Sequence, residues 1–414
     1  MGVSLPADSA GMSRGAGGAV ALTLCVGLSS LLAPAAVGPA VADDEPPAPR
    51  SGTYSVLDYG AVGNGSTDDT GALRRALSAA TSGATIVIPQ GKVFRHTGVL
   101  SINRAGVRVT GGGTLLATNE EKSSVVVNAD RVTVDHLTLA IASTTKRWET
   151  YDQMKLRLSD VDGVRIDSVN VAGSAAAGVY VGGATNFVLR RVRVSDTQAD
   201  GIHITESSRN GVVDKARVDR PGDDGVAVVS YANGGVPPVR NIQINSPRVY
   251  NQRWGRAFSV VGGDRITWRK IGAKHSSAAS LYIASEGNYN TQAATNIKVL
   301  GGTIDNANDT AAIDHGAVLI YNGNSAVVNR KITIKDLKIR NTRVSASRTV
   351  AVLSSDGGQQ KSVTLSKFRI SGRPAPFFSN MSGSAYKIKG WTYQGRAFKA
   401  SVADIRNNPT VTAA

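Results

Sequence analysis

Short apolar strands punctuate the middle of this chain at a nearly constant step. Those led by Leu156, Val179, Ile202, Val226, Phe258 and Leu281 begin 23, 23, 24, 32 and 23 residues apart. Within such strands aliphatic and polar residues alternate, as in Val164-Arg-Ile166 and Ile242-Gln-Ile244, so one side faces a core and the other faces water. Gly, Asn and Asp fill the turns between them. A period in the low twenties predicts a solenoid in which each coil stacks on the last. Residues at equal phase then lie on neighbouring coils, about 4.8 Å apart.

Ahead of the solenoid, Leu73, Ala76, Leu77 and Ala80 fall on one face of a predicted helix that Thr67 or Asp68 caps. A strand, 84–89, follows. An open solenoid end exposes unpaired backbone and apolar core, which an amphipathic helix can cover. The rhythm continues through Ile332-Thr-Ile334 and Val363-Thr-Leu365. From Pro374 onward it is expected to fade into a cover for the far end. The predicted fold is all-β, a parallel β-helix with an N-terminal capping helix, forming one domain over 53–414.

Composition adds a compartment. Arg14, the apolar stretch 19–32 and Ala40-Val-Ala42 give residues 1–42 the layout of an export signal, followed by a Pro/Glu/Ala linker over 43–52. The apolar run is broken by Ser29, Ser30 and Pro34, so no membrane span is expected and the mature protein is read as secreted. The single cysteine, Cys25, lies inside that signal, which excludes a disulfide framework and a thiolate metal site. The net charge is +16. Nucleic-acid binding would interleave bases with aromatics, and aromatics are only 5% here, so no nucleic-acid partner is expected. An anionic polysaccharide or oligosaccharide is the preferred partner of the basic charge, beside the plain alternative of a solvated basic surface.

Phasing the coils by their inward leaders produces an outward column, Tyr180, His203, Ala227, Ser259 and Tyr282. Two places before the leaders lie Asp200, Asp224 and Arg256, with Asp223 one further back; the preceding coil adds Lys155 and Arg157. A lone Asp-Gly is ordinary turn chemistry. Acids at one phase on adjacent coils repel and raise one another's pKa, and such clusters mark function. Asp200, Asp223 and Asp224 are therefore the candidate catalytic acids. His203, Arg256, Tyr180, Tyr282, Lys155 and Arg157 are the candidate substrate ligands. No metal and no cofactor is expected.

The segment 54–91, with its capped helix and following strand, resembles the entry of the pectate-lyase-like right-handed parallel β-helix superfamily, which includes the polygalacturonases of glycoside hydrolase family 28. Gln198-Ala-Asp-Gly201 is similar to that family's Asn-Thr-Asp-Gly, and Gly222-Asp-Asp224 to its Gly-Asp-Asp. The resemblance implies a right-handed coil, Asp223 as general acid, Asp200 and Asp224 positioning the attacking water, and inversion, with acid and base carboxyls roughly 6.5–9.5 Å apart. The sugar pocket departs from it. Arg256 stands in place of the Gly-His-Gly histidine, and Leu281-Tyr-Ile-Ala284 in place of Arg-Ile-Lys. Hydrolysis of a polysaccharide is thus the leading reading. Lyase or C5-epimerase action on a uronan, and a non-catalytic glycan-binding β-helix, stay open as alternatives.

Overall fold

The computed structural model describes residues 52–399. The expected export signal, the linker up to residue 51 and the segment 400–414 lie outside the described residues. The repeat folds as its alternation requires: every apolar leader pairs in parallel with the leader of the next coil. Eleven such strands form one ladder: β1 (Leu100–Ile102), β2 (Val125–Val127), β3 (Leu156–Ser159), β4 (Val179–Gly182), β5 (Ile202–Thr205), β6 (Val226–Val229), β7 (Phe258–Val261), β8 (Leu281–Glu286), β9 (Val318–Gly323), β10 (Arg348–Ser354) and β11 (Ala375–Ser379). The register is that read from the sequence, with Val179 opposite Ile202, Ile202 opposite Val226, Val226 opposite Phe258 and Phe258 opposite Leu281. The remaining strands build a second parallel sheet around the same core, in pairs such as Val188–Arg190 with Arg193–Thr197.

Between the two strands of such a pair the chain turns at one residue of positive φ. Ser168, Arg191, Lys215, Ser246 and Lys270 occupy this corner on successive coils, with φ of 51–54°. A non-glycine residue there is strained. The backbone N–H groups of Ser168, Arg191, Lys215 and Ser246 each find a carbonyl of the next coil, as Arg191 does with Asp214 and Lys215 with Asn245, which offsets the cost.

Inside, stacked aliphatic columns are fully enclosed, and Phe258 meets Trp268 edge-on at 5.4 Å. Helix α1 (Thr70–Ala79) buries Ala72, Leu73 and Ala76. Its N-cap position is Asp69, one residue later than the expected Asp68, although it is the Asp68 carboxylate that accepts from the Thr70 N–H, at 3.0 Å. At the other end the period outlasts expectation. Tyr386–Lys389 and Trp391–Tyr393 still pair in parallel with the coil below, and Arg396–Phe398 then folds back antiparallel. Aromatic residues replace aliphatic ones in this last coil, Phe368 stacking on Trp391 at 4.6 Å, which hid the rhythm from an aliphatic pattern.

Candidate active site

The outward column of the eleven-stranded sheet runs Arg157, Tyr180, His203, Ala227, Ser259, Tyr282, each paired with the next in register. The turns entering these strands are set by glycine. Gly178, Gly201 and Gly225 stack, their N–H groups donating to the carbonyls of Asp200, Asp224 and Arg256. A Cβ on Gly201 would lie 2.5 Å from the Gly225 carbonyl oxygen, and one on Gly225 2.6 Å from that of Ala257. The glycines in Asp-Gly and Asp-Asp-Gly are thus demanded by close coil packing rather than by positive φ. Each holds the preceding carboxylate at the trough wall.

One oxygen from each of Asp200, Asp223 and Asp224 lies within 4.8 Å of one from each of the others. Both Asp200 oxygens are engaged: Oδ1 accepts from the Asp224 N–H at 2.9 Å, and Oδ2 lies 2.5 Å from His203 Nδ1. Asp224 Oδ1 accepts from the Arg256 N–H at 2.7 Å, with Arg256 Nη1 3.7 Å away. Asp223 Oδ2 accepts from Arg147 Nη1 at 2.8 Å, whereas its enclosed Oδ1 has no hydrogen-bond partner. Three clustered carboxylates would suit a hard cation. Here guanidinium, imidazole and backbone N–H groups already engage four of the six carboxylate oxygens.

Burial and then the charges of Asp200 and Asp224 push the Asp223 carboxyl up to about 7, outweighing Arg147 and Arg256. Burial also raises Asp224, against the pull of Arg256. For His203 burial is the largest influence and disfavours the imidazolium. The hydrogen bond and charge of Asp200, with Asp224 and Asp223 beyond, overcome it and raise the pKa. Asp223, with a free oxygen and no backbone donor, is the member best placed to carry a proton near neutral pH.

The flanks depart from expectation at three residues. Lys155 is 0% exposed; its ammonium donates to the Ser123 carbonyl at 3.0 Å and approaches His96 Nε2 at 3.4 Å inside the solenoid, so it cannot meet a polysaccharide. Tyr180 and Tyr282 are 4% and 3% exposed. Tyr180 stacks beneath His203 at 5.4 Å and donates to Glu206 at 2.9 Å. Tyr282 lies between His315, stacked at 6.0 Å, and the Arg256 guanidinium, 4.4 Å from its ring, and donates to Glu286 at 2.8 Å. Both rings support the charged groups and present no face to a sugar. Arg157 stays at the trough, 4.9 Å over the ring of Tyr151. Arg256 is in the trough but bridges Asp224 and Glu286, its Nη2 3.1 Å from Glu286 Oε1.

Four further residues complete the site: Arg147, Tyr151, Glu206 and Glu286. Glu206 accepts from Tyr151 at 2.5 Å as well as from Tyr180. Arg147 and Tyr151 come from the long interval between Val125 and Leu156, and that excess over the usual step was the available signal. Glu206 and Glu286 sit where β5 and β8 end and share no phase with the trio.

The model of the family "Rhamnogalacturonase A/epimerase, pectate lyase-like" matches residues 53–278, more than half of the chain and the whole trio. The chain belongs to this family. No curated protein matches it. Among solved structures it is similar to the catalytic unit of a thermostable family 87 α-1,3-glucanase from Streptomyces thermodiastaticus strain HF3-3 (17% identity, 83% of this chain and 69% of that one, TM-score 0.59). It is also similar to a hyperthermoactive exopolygalacturonase from Thermotoga maritima (15%, 86% and 94%, TM-score 0.61). A third is an endo-xylogalacturonan hydrolase from Aspergillus tubingensis (16%, 82% and 99%, TM-score 0.59). At such identities the likeness is one of fold, the right-handed parallel β-helix that the resemblance implied.

Proposed function

We propose that this protein is a glycoside hydrolase that cleaves a polysaccharide with Asp223 as general acid. The observation that carries the reading is the Asp223 carboxyl itself. One oxygen is free of any donor, and burial, then two neighbouring carboxylates, push its pKa up to about 7. In the proposed step Asp223 gives its proton to the glycosidic oxygen as that carbon–oxygen bond breaks. Water attacks the anomeric carbon and loses a proton to Asp224, which Asp200 and Arg256 orient through its backbone and carboxylate. A spacing supports the assignment: family 87 α-1,3-glucanase structures with bound nigerose or tetrasaccharides carry alanine in place of one of three aspartates, two adjacent and the third twenty-three residues before them. Asp200, Asp223 and Asp224 stand at the same intervals.

Asp223→Asn is expected to lower reducing-end release at least 1,000-fold with the circular-dichroism spectrum unchanged. Retained activity would remove the proposal. Because the acid must be protonated, kcat/KM is expected to fall about tenfold per pH unit above about 7, and Asp223→Asn to lose that limb. Inversion needs acid and base carboxyl groups roughly 6.5–9.5 Å apart with room for water between them, and retention about 5–5.5 Å. Proton NMR of the first-formed anomer decides between the two outcomes.

We read residues 53–414 as a single β-helix domain whose first coil α1 covers, and residues 1–42 as an export signal of a secreted enzyme. A secreted product whose sequence begins just after Ala42 would support the last point, and an uncleaved cell-bound chain would overturn it.

A further inference from the structure

We infer that the sugar unit cleaved at the trio is a neutral one and not a uronic acid. The inference rests on the hydrolase reading and adds a substrate class to it.

A uronate carboxylate beside the trio would need an uncommitted cation. The two arginines that reach these acids are both matched. Arg147 lies between Asp223, at 2.8 Å, and Glu149, at 3.8 Å. Arg256 lies between Asp224, at 3.7 Å, and Glu286, at 3.1 Å, with its guanidinium face against Tyr282. His203 is tied to Asp200. Arg157 is on β3, two coils from the β5 turn side of the trio, and covers Tyr151. Glu206 brings a further carboxylate to that flank. Any substrate carboxylate entering here meets like charge from Asp200, Asp224 and Glu286, and both arginines that reach the acids are already matched.

What the trough offers instead is aromatic surface. Trp254 is 38% exposed, and its backbone carbonyl shares the Gln252 amide with that of Asp223, which sets this exposed aromatic residue in the turn next to the general acid. Tyr231 is 36% exposed and near enough for Asp200, Glu286 and Asp223 to act on its hydroxyl. Such rings bind the C–H faces of sugars without needing charge.

The test compares uronans with their carboxyl-reduced counterparts of the same linkage, together with neutral α- and β-glucans. Reducing ends are measured for the wild type, and binding for Asp223→Asn by calorimetry. We expect kcat/KM on the best neutral polymer to exceed that on the best uronan at least about 100-fold, and to change less than twofold between about 0.05 and 0.5 M NaCl. Preferred, Asp223-dependent cleavage of a uronan would overturn the inference and leave the hydrolase reading standing. Neutral chains that bind in preference to uronans but are never cleaved by the wild type would remove the hydrolase reading and uphold only a neutral-sugar site at the trio. Binding of neither class at millimolar concentration overturns the inference. Glu286→Gln, which releases Arg256, is expected to raise the uronan-to-neutral ratio about tenfold or more. An unmoved ratio also overturns the inference.

Discussion

The same coil makes two very different surfaces. On the eleven-stranded sheet the charges of successive coils are enclosed, paired and held by backbone N–H groups. On the second sheet Arg193, Arg217 and Arg248 stack in one exposed column, and the half-exposed pairs Arg190–Asp167, Arg191–Asp167 and Arg220–Asp196 line neighbouring rows. Both surfaces bring like charges to adjacent coils, about 4.8 Å apart. In water that repulsion is worth about 1 kcal/mol and salt screens it. In the trough, burial itself and then the repulsion of Asp200 and Asp224 move Asp223 up to about 7. Exposure, rather than the charge sequence, decides which stack becomes chemistry. It also explains why the net charge of +16 is a poor guide to the ligand: a whole column of exposed arginines lies on the other sheet.

The largest effect expected from this contrast is on stability. Asp223 is raised from 3.8 to about 7 in the folded protein, so ionising it costs folding free energy. That cost is absent below the unfolded pKa near 4, grows as pH rises, and is complete above about 7. Asp223→Asn should therefore stabilise the protein at pH 8 by about 2–4 kcal/mol while abolishing activity, and should bring no gain at pH 4. Denaturant melts at the two pH values check this; equal stability changes at both would break the comparison. Next come two glycines. Gly201→Ala drives a Cβ against backbone, the Gly225 carbonyl, and should cost about 1–3 kcal/mol and most of the activity by displacing Asp200 and His203. Gly272→Ala, in the arginine column, meets the flexible Arg248 side chain, its Cδ 2.6 Å away. It should cost under about 1 kcal/mol with kcat intact. Similar melts for both variants would erase the distinction.

The register of the ladder and the meeting of the three acids were legible because a parallel stack converts a constant step into contact. The step 200 to 223 needs no knowledge of side-chain packing. Residues outside that step were not legible. Glu206 and Glu286 join the site through tyrosine hydroxyls, and Arg147 reaches Asp223 from an inter-coil excursion 76 residues earlier. Nor does phase report depth. Lys155 sits one place before its leader, where an outward turn was expected, yet it points to His96 in the interior. Tyr180 and Tyr282 were correctly placed in their column, but the ring stacked on each, His203 or His315, covers the face a sugar would have used.

The smallest expected effect closes the comparison from the basic side. Arg217 lies exposed over Tyr250, 4.5 Å from its ring, between Arg193 and Arg248 in register. Removing one of three like charges relieves repulsion about as much as it loses stacking on the tyrosine, so Arg217→Ala should move Tm by no more than about 1 °C. It should leave kcat and KM unchanged, because no trough group touches it. Its one visible consequence should be earlier elution from an anionic matrix, since a stacked column concentrates positive potential in a way that scattered charges do not. A changed kcat would mean that the two sheets are coupled through the core, and the trough could then no longer be treated as electrostatically separate from the arginine face.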